Sequence, residues 1–344
     1  EYDAPDPGGA SVLAADIPSG VDGRTGEAGP AAVRADRTVT FAALKPGLLF
    51  EPGRAAAGTV DVADIGLDCS RATAHVVEAP DLADWLPPRP PDTHKWRSAV
   101  WVVGGSPGMT GAPVLAATAA AKLGAGYVRL SSPGVDPPLS GAPIETVGTA
   151  LPEHGWVDEV LADAVRFRAV VVGPGLGDRG AADVQRLVAE AVIPVVVDGD
   201  GLRALGTDCA RYTHATTLLT PHDGEYERLT GERPGPDRIA AARQLSADTG
   251  AVVLLKGPTT VVARPDGRVL LVTNGDARLA SAGTGDVLSG AIAALVARGV
   301  DPWHAAAGAA FVHARAAALG PAIGVVASDV ARLLPAAASE LARG

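Results

Sequence analysis

Aromatic residues make up only 4% of the 344 positions, against 47% hydrophobic residues overall. Alanine and valine, not rings, must therefore fill the core. The chain has two cysteines, Cys69 and Cys209, with no CxxC or CxxH neighbourhood, which suits a reducing cytoplasm. Both are read as structural thiols. No run of eighteen apolar residues occurs, so no transmembrane helix is expected. The opening residues Glu1-Tyr2-Asp3-Ala4-Pro5 lack the basic and apolar blocks of a signal peptide, and Met109 is the only methionine. The sequence is accordingly read as a processed or truncated piece of a longer protein. Lysine is confined to Lys45, Lys95, Lys122 and Lys256, while arginine is plentiful. A formal charge of -10 argues against nucleic acid or an anionic membrane as the main partner. An anionic nucleotide remains compatible, because backbone amides and one or two local bases suffice to bind it.

The length allows about two domains. The stretch Trp85–Pro91, WLPPRPP, is the clearest break, since clustered prolines oppose both helix and central strand. We place a linker at 73–92, between a partial α/β domain over 1–72 and a second domain over 93–344. In the first part Val12–Ala15, Thr38–Phe41 and Gly58–Val62 are strand candidates, and the long glycine-rich connection 16–37 has the character of a functional loop. In the second, Ala99–Val103, Tyr127–Leu130, Ala169–Val172, Pro194–Val197, Thr216–Leu219 and Val252–Leu255 are continuous apolar runs, and Ala112–Leu123 reads as a helix. Such runs alternating with helices predict a mostly parallel α/β sheet buried on both faces, with ligands at the C-terminal ends of its strands.

Those strand ends carry the chemistry. Ala282-Gly283-Thr284-Gly285-Asp286-Val287-Leu288-Ser289-Gly290 is followed by the helical run Ala291–Arg298, so free N–H groups and the positive end of a helix dipole can face an anion. Asp286 then falls in the first helical turn, where a plain helix-stabilising acid and a catalytic one are equally fitting. Lys256-Gly257-Pro258-Thr259-Thr260 follows the strand at 252–255 and reads either as a phosphate-facing segment or as the turn of a hairpin. Upstream, His222 with Asp223-Gly224-Glu225, Gly173 to Gly177, and Asp198-Gly199-Asp200 end three further strands. So many Gly, Asp, His and Lys residues along one predicted edge favour a site.

These motifs carry a resemblance. The strings GGSPGMTGAPVLAA (104–117), KLGAGYV (122–128), VVGPGLG (171–177), TPHDGEYERLTG (220–231), LLKGPTT (254–260), NGDARLASAGTGDVLSG (274–290) and VVASDV (325–330) make the region from His94 onward similar to the ribokinase-like NAD(P)H-hydrate dehydratases. The resemblance implies a ribokinase-like mostly parallel sheet with helices on both faces, preceded by a partial Rossmann-like α/β domain. It implies an ADP- or ATP-dependent lyase that restores NADH and NADPH from the S epimer of their hydrates, with Mg²⁺ accompanying the nucleotide. Asp286 would be the acid/base at the substrate hydroxyl. Lys256, Gly257, Pro258, Thr259, Thr260, Gly283, Thr284 and Gly285 would line the nucleotide, and Ala112, Gly175, His222 and Asp286 the hydrated nicotinamide. It also implies a cytoplasmic homo-oligomer. Two positions depart from the family pattern: Arg203 replaces an asparagine and Trp96 a glycine, and both are expected to alter substrate or nucleotide contacts.

The strings VLAADIPSGVDGRTG (12–26), AVRADRTVTFAALKPGLLFEPG (32–53) and VADIGLD (62–68) resemble the second half of an NAD(P)H-hydrate epimerase domain. There the resemblance implies that Asp16 contacts substrate and Ser19 helps to hold a potassium ion. The glycine- and asparagine-rich substrate loop of that domain is not in the sequence, so little or no epimerase activity is expected. Two other functions stay open on the residues: a vitamin-type small-molecule kinase of the same superfamily, and a non-catalytic nucleotide-binding protein.

Overall fold

Valine-rich runs of three to five residues become the centre of the molecule because β-branched side chains pack well on a pleated surface. In the computed structural model, which describes residues 7–86 and 88–342, Ala99–Val103, Ala169–Val172, Val195–Val197 and Val252–Leu255 are buried at every position. The chain divides into two units. The smaller comprises Glu1–His75 with Pro234–Ala241, and the larger Val76–Arg233 with Ala242–Gly344.

Among the described residues the main sheet has ten strands, all but part of Ala74–Val76 within the larger unit. From one edge they run Ala74–Val76, Val269–Val272, Thr260–Ala263, Val252–Leu255, Thr217–Leu219, Val195–Val197, Ala169–Val172, Ala99–Val103, Tyr127–Ser131 and Val147–Gly148. From Val252–Leu255 to Val147–Gly148 all neighbours are parallel. The α/β expectation holds for this part. Thr260–Ala263 and Val269–Val272 add two antiparallel strands that the sequence reading did not identify. The strand order reverses beside Ala99–Val103, whose chain successor Tyr127–Ser131 lies on one side and Ala169–Val172 on the other. Loops diverge at such a switch point and leave a crevice at the carboxyl ends of the strands.

Helices Gly111–Lys122, Thr284–Ala297, Pro302–Leu319 and Ala327–Leu341 share the core with the sheet. In Thr284–Ala297 every residue but Gly285 and Asp286 is buried. A Cβ on Gly290 would meet the Ala116 carbonyl oxygen at 2.0 Å, so the two helices touch at backbone distance. That contact anchors the helix whose first turn carries Asp286.

The smaller unit contains three parallel strands, Leu13–Ala15, Arg37–Phe41 and Thr59–Ala63, paired in that order. The linker expected at 73–92 needs correction. Ala74–Val76 is a strand and Ala79–Trp85 a helix with Leu82 fully buried. Glu78 and Asp81 form a capping box there, and Pro80 sits at the helix start, where its missing N–H is no loss. Residues 88–92 lie outside helix and strand, and Pro87 lies outside the described residues.

Candidate active site

Lys256 is the centre of the charge at this edge. Its backbone N–H donates to the Pro221 carbonyl at 2.8 Å, tying the end of Val252–Leu255 to that of the neighbouring strand. Its ammonium lies 2.8 Å from Asp198 Oδ1 and 3.3 Å from Glu225 Oε2. Asp198 follows Val195–Val197, is 2% exposed, and also accepts from the Thr220 hydroxyl at 2.8 Å. Burial alone would lower the Lys256 pKa, but the carboxylates of Asp198 and Glu225 outweigh it and raise it. The two carboxylates therefore favour the charged ammonium and hold it in place.

The Gly283–Gly285 turn faces this ammonium. Gly283 caps the helix with φ +88, a conformation that favours glycine. A Cβ on Gly285 would lie 3.5 Å from Lys256 Nζ and 3.8 Å from Asp198 Oδ2. The Thr284 hydroxyl donates to the carbonyls of Leu279 and Ser281 at 2.8 and 2.9 Å, which pins the turn. Asp286 is pushed up from the usual carboxylate range to about 7. Burial is the largest cause and the Asp198 charge adds to it, while Lys256 partly opposes both. A carboxyl poised near neutrality can take and return a proton at working pH.

Gly175 and Ala112 meet across the switch point. A Cβ on Gly175 would lie 3.3 Å from the Ala112 Cβ, and the Gly105 N–H donates to the Pro174 carbonyl at 2.7 Å. His222 caps the helix Asp223–Thr230: its Nδ1 accepts from the Gly224 and Glu225 N–H groups at 3.0 and 3.3 Å. Its side chain is 56% exposed, with Nε2 3.6 Å from Glu225 Oε1. Lys256 to Thr259 connect the antiparallel strands Val252–Leu255 and Thr260–Ala263. The hairpin and the phosphate-facing readings of this segment are thus compatible.

The sequence reading missed Glu225 as a partner of Lys256, and gave Asp198 only a strand-end place. The signal was present in both cases: an acid directly after a buried strand, and a glutamate three residues after the capping His222. Arg203 pairs with Asp200 at 2.9 Å, and the other Asp200 oxygen accepts from the Gly177 N–H at 2.8 Å. Arg203 therefore braces the Gly173–Gly177 loop. Trp96 requires a correction, because it precedes Ala99–Val103 and so lies at the opposite, N-terminal end of that strand. Its indole stacks on Tyr127 at 4.5 Å and under the Arg166 guanidinium at 4.5 Å. A five-residue strand, roughly 17 Å long, separates it from the site.

Among the described residues no group of three His, Cys, Asp or Glu side chains is placed to hold a metal ion. Asp198 and Glu225 already serve Lys256, so a magnesium ion does not fit here as a protein-caged group. It fits as a companion of nucleotide phosphates, its usual mode of binding. In the smaller unit, Asp16 Oδ1 accepts from Lys45 Nζ at 2.5 Å, Thr40 Oγ1 at 3.0 Å and the Phe41 N–H at 3.2 Å. Lys45 leads these in holding its pKa below the usual value. Ser19 is exposed there, and its carbonyl accepts from the Val33 N–H.

The profile of the family described as NAD(P)H-hydrate dehydratase matches residues 100–335, and that of the YjeF-related protein N-terminus matches residues 4–47. A bifunctional NAD(P)H-hydrate repair enzyme of Salinibacter ruber is 40% identical over 96% of this chain and 66% of its own length. One of Mycobacterium tuberculosis is 43% identical over 86% of this chain and 60% of its own. The chain thus spans somewhat under two thirds of the curated relatives it matches. Among solved structures, the ADP/ATP-dependent NAD(P)H-hydrate dehydratase of Bacillus subtilis, co-crystallised with ATP/Mg²⁺, is 26% identical with a TM-score of 0.62. It covers 77% of this chain and 97% of its own. A ribokinase-like superfamily protein of Enterococcus faecalis, at 21% identity and a TM-score of 0.69 over 81% of this chain and 100% of its own, shares the fold.

Proposed function

This chain belongs to the NAD(P)H-hydrate dehydratase family, and from that premise we propose that it uses ADP or ATP to return the S epimer of hydrated NADH and NADPH to NADH and NADPH. One observation carries the reading: Asp286, with a pKa near 7, sits in the first turn of the helix that the Gly283–Gly285 turn begins. Nucleotide phosphates lie on that turn against Lys256, with Gly257, Pro258, Thr259 and Thr260 along the nucleotide. The hydrated ring lies toward Ala112, Gly175 and His222.

Asp286 takes the proton of the ring hydroxyl as that oxygen attacks the terminal phosphoryl group. The bond from that phosphorus to its bridging oxygen breaks, and the shortened nucleotide leaves. The helix N-terminus and Lys256 stabilise the charge on the phosphoryl oxygens, work done by positioned donors. The ring nitrogen's electron pair then expels the phosphate, breaking the carbon–oxygen bond. Loss of a proton from the adjacent ring carbon restores the dihydronicotinamide.

The test is absorbance in the reduced-nicotinamide band after mixing protein, NADPH hydrate, Mg²⁺ and ADP or ATP. A nucleotide-dependent rise with release of free phosphate is expected. A stable phosphorylated product without the rise would assign a small-molecule kinase instead. We further read the assembly as a cytoplasmic homo-oligomer, and a monomeric mass by light scattering would overturn the oligomer.

A further inference from the structure

A chain with a formal charge of -10 gathers three arginines at one cavity. Lys95–Ser98 leads into the strand Ala99–Val103, and residues 165–168 lead into its parallel neighbour Ala169–Val172. Both approaches lie at the amino ends of these strands, the edge of the sheet opposite the candidate active site. There a cavity of about 340 Å³ is lined by His94, Trp96, Arg97, Val165, Arg166 and Arg168. That volume falls within the range of small-molecule sites, about 300–1,000 Å³. Among the described residues no carboxylate lines it. A wall of one charge sign focuses the field and concentrates anions.

The three guanidinium groups are not used up elsewhere. Arg97 reaches Asp92 only at 3.4 Å, and that side chain is 74% exposed. Arg166 meets Asp163 at 3.1 Å, but this carboxylate is shared with Arg129. Among the described residues the Arg168 side chain has no hydrogen-bond or ion-pair partner. Complementing the carboxyl end of the helix Val157–Ala164 takes one cation, and three exceed that need. Two groups are also held in place. The Arg166 guanidinium lies 4.5 Å from the centre of the Trp96 ring, which itself stacks on Tyr127. His94 Nδ1 accepts from the Trp96 N–H at 3.4 Å, leaving the ring proton on Nε2 as a donor.

We propose that this cavity binds a phosphate dianion, free or carried as the monoester of a small metabolite. Guanidinium forks match phosphate oxygens two at a time, and three arginines with one imidazole N–H offer more donors than a carboxylate's two oxygens can use. Val165, 63% exposed, gives an apolar wall for the carbon part of a monoester. The site is separate from the one at the carboxyl edge and does not depend on the dehydratase reading.

The experiment follows the Trp96 indole N–H in nuclear magnetic resonance spectra of the full chain, assigned with Trp96→Phe, as inorganic phosphate or ribose 5-phosphate is added. Inorganic phosphate can also reach the Gly283–Gly285 turn, but the indole sits at the opposite edge and does not report on that turn. A saturable shift is expected with phosphate, and none with chloride at equal ionic strength. Arg168→Gln removes no partnered group and should weaken binding at least about tenfold, as loss of one charge-assisted bond does. Arg97→Gln should act alike. Tighter binding of ribose 5-phosphate than of phosphate supports the proposal with a metabolite's monoester as ligand, and equal binding supports it with free phosphate. A shift that chloride reproduces, or that never saturates, overturns the proposal, because it reports only screening of surface charge. Unchanged affinity in both arginine variants overturns it as well.

Discussion

Asp286 must be a carboxylate to accept a proton, and its pKa lies at about 7. Below that pH it is protonated, so kcat/KM is expected to fall about tenfold per pH unit on the acid side. A profile flat down to pH 5 would remove Asp286 from the proton transfer. Asp286→Asn is expected to lower kcat by about 10²–10⁴-fold, the usual value of a positioned base, with nucleotide affinity little changed. The same residue costs stability at working pH. Its folded-state pKa is raised, so its stabilising contribution is full below the unfolded value near 4 and lost as pH rises through 7. Asp286→Asn should therefore melt a few degrees higher than wild type at pH 8 but not at pH 4. Lys256 poses the opposite case. Lys256→Met leaves Asp198 and Glu225 buried without their cation, a loss of about 3–5 kcal/mol, and adding Asp198→Asn should recover part of it in urea titrations.

Among the elements, the helix Thr284–Ala297 joins packing to chemistry. Its backbone contact at Gly290 with Ala116 leaves no room for a methyl group. Gly290→Ala should cost about 1–3 kcal/mol by overpacking. Because the same rigid helix presents Gly283 to Asp286, kcat should fall as well. A variant destabilised with kcat intact would show that the helix tolerates the displacement. Apolar runs made the central strands legible to within a residue or so, since burial on both faces demands uninterrupted hydrophobicity. The strands Thr260–Ala263 and Val269–Val272 look no different in composition, and their antiparallel direction comes from the short connections around them. The helix Ala79–Trp85 was obscured by nearby prolines, one of which starts it.

At the scale of the whole molecule, Asp286, Lys256, Asp198 and Glu225 lie in the larger unit and Asp16 in the smaller. Asp16 in the smaller unit spends one oxygen on Lys45, Thr40 and the Phe41 amide. Supplied with the R epimer of NADPH hydrate alone, this chain is expected to leave it unchanged, as chiral chromatography would record. Conversion to the S epimer would restore an epimerase role to Asp16.

Local order along the chain decided much by itself: the parallel α/β class, the glycine turn ahead of Asp286, and the position of each motif at a strand end. These follow from short-range constraints such as side-chain size, hydrophobic period and free amides at a helix start. Tertiary structure alone decided the rest. It set Lys256 between Asp198 and Glu225, 58 and 31 positions away in the chain, and raised Asp286 through burial and the Asp198 charge. It moved Trp96 to the far end of the sheet and gave Arg203 a carboxylate to brace. Charge pairing and desolvation depend on distances through space, and those exist only once the strands have taken their order in the sheet.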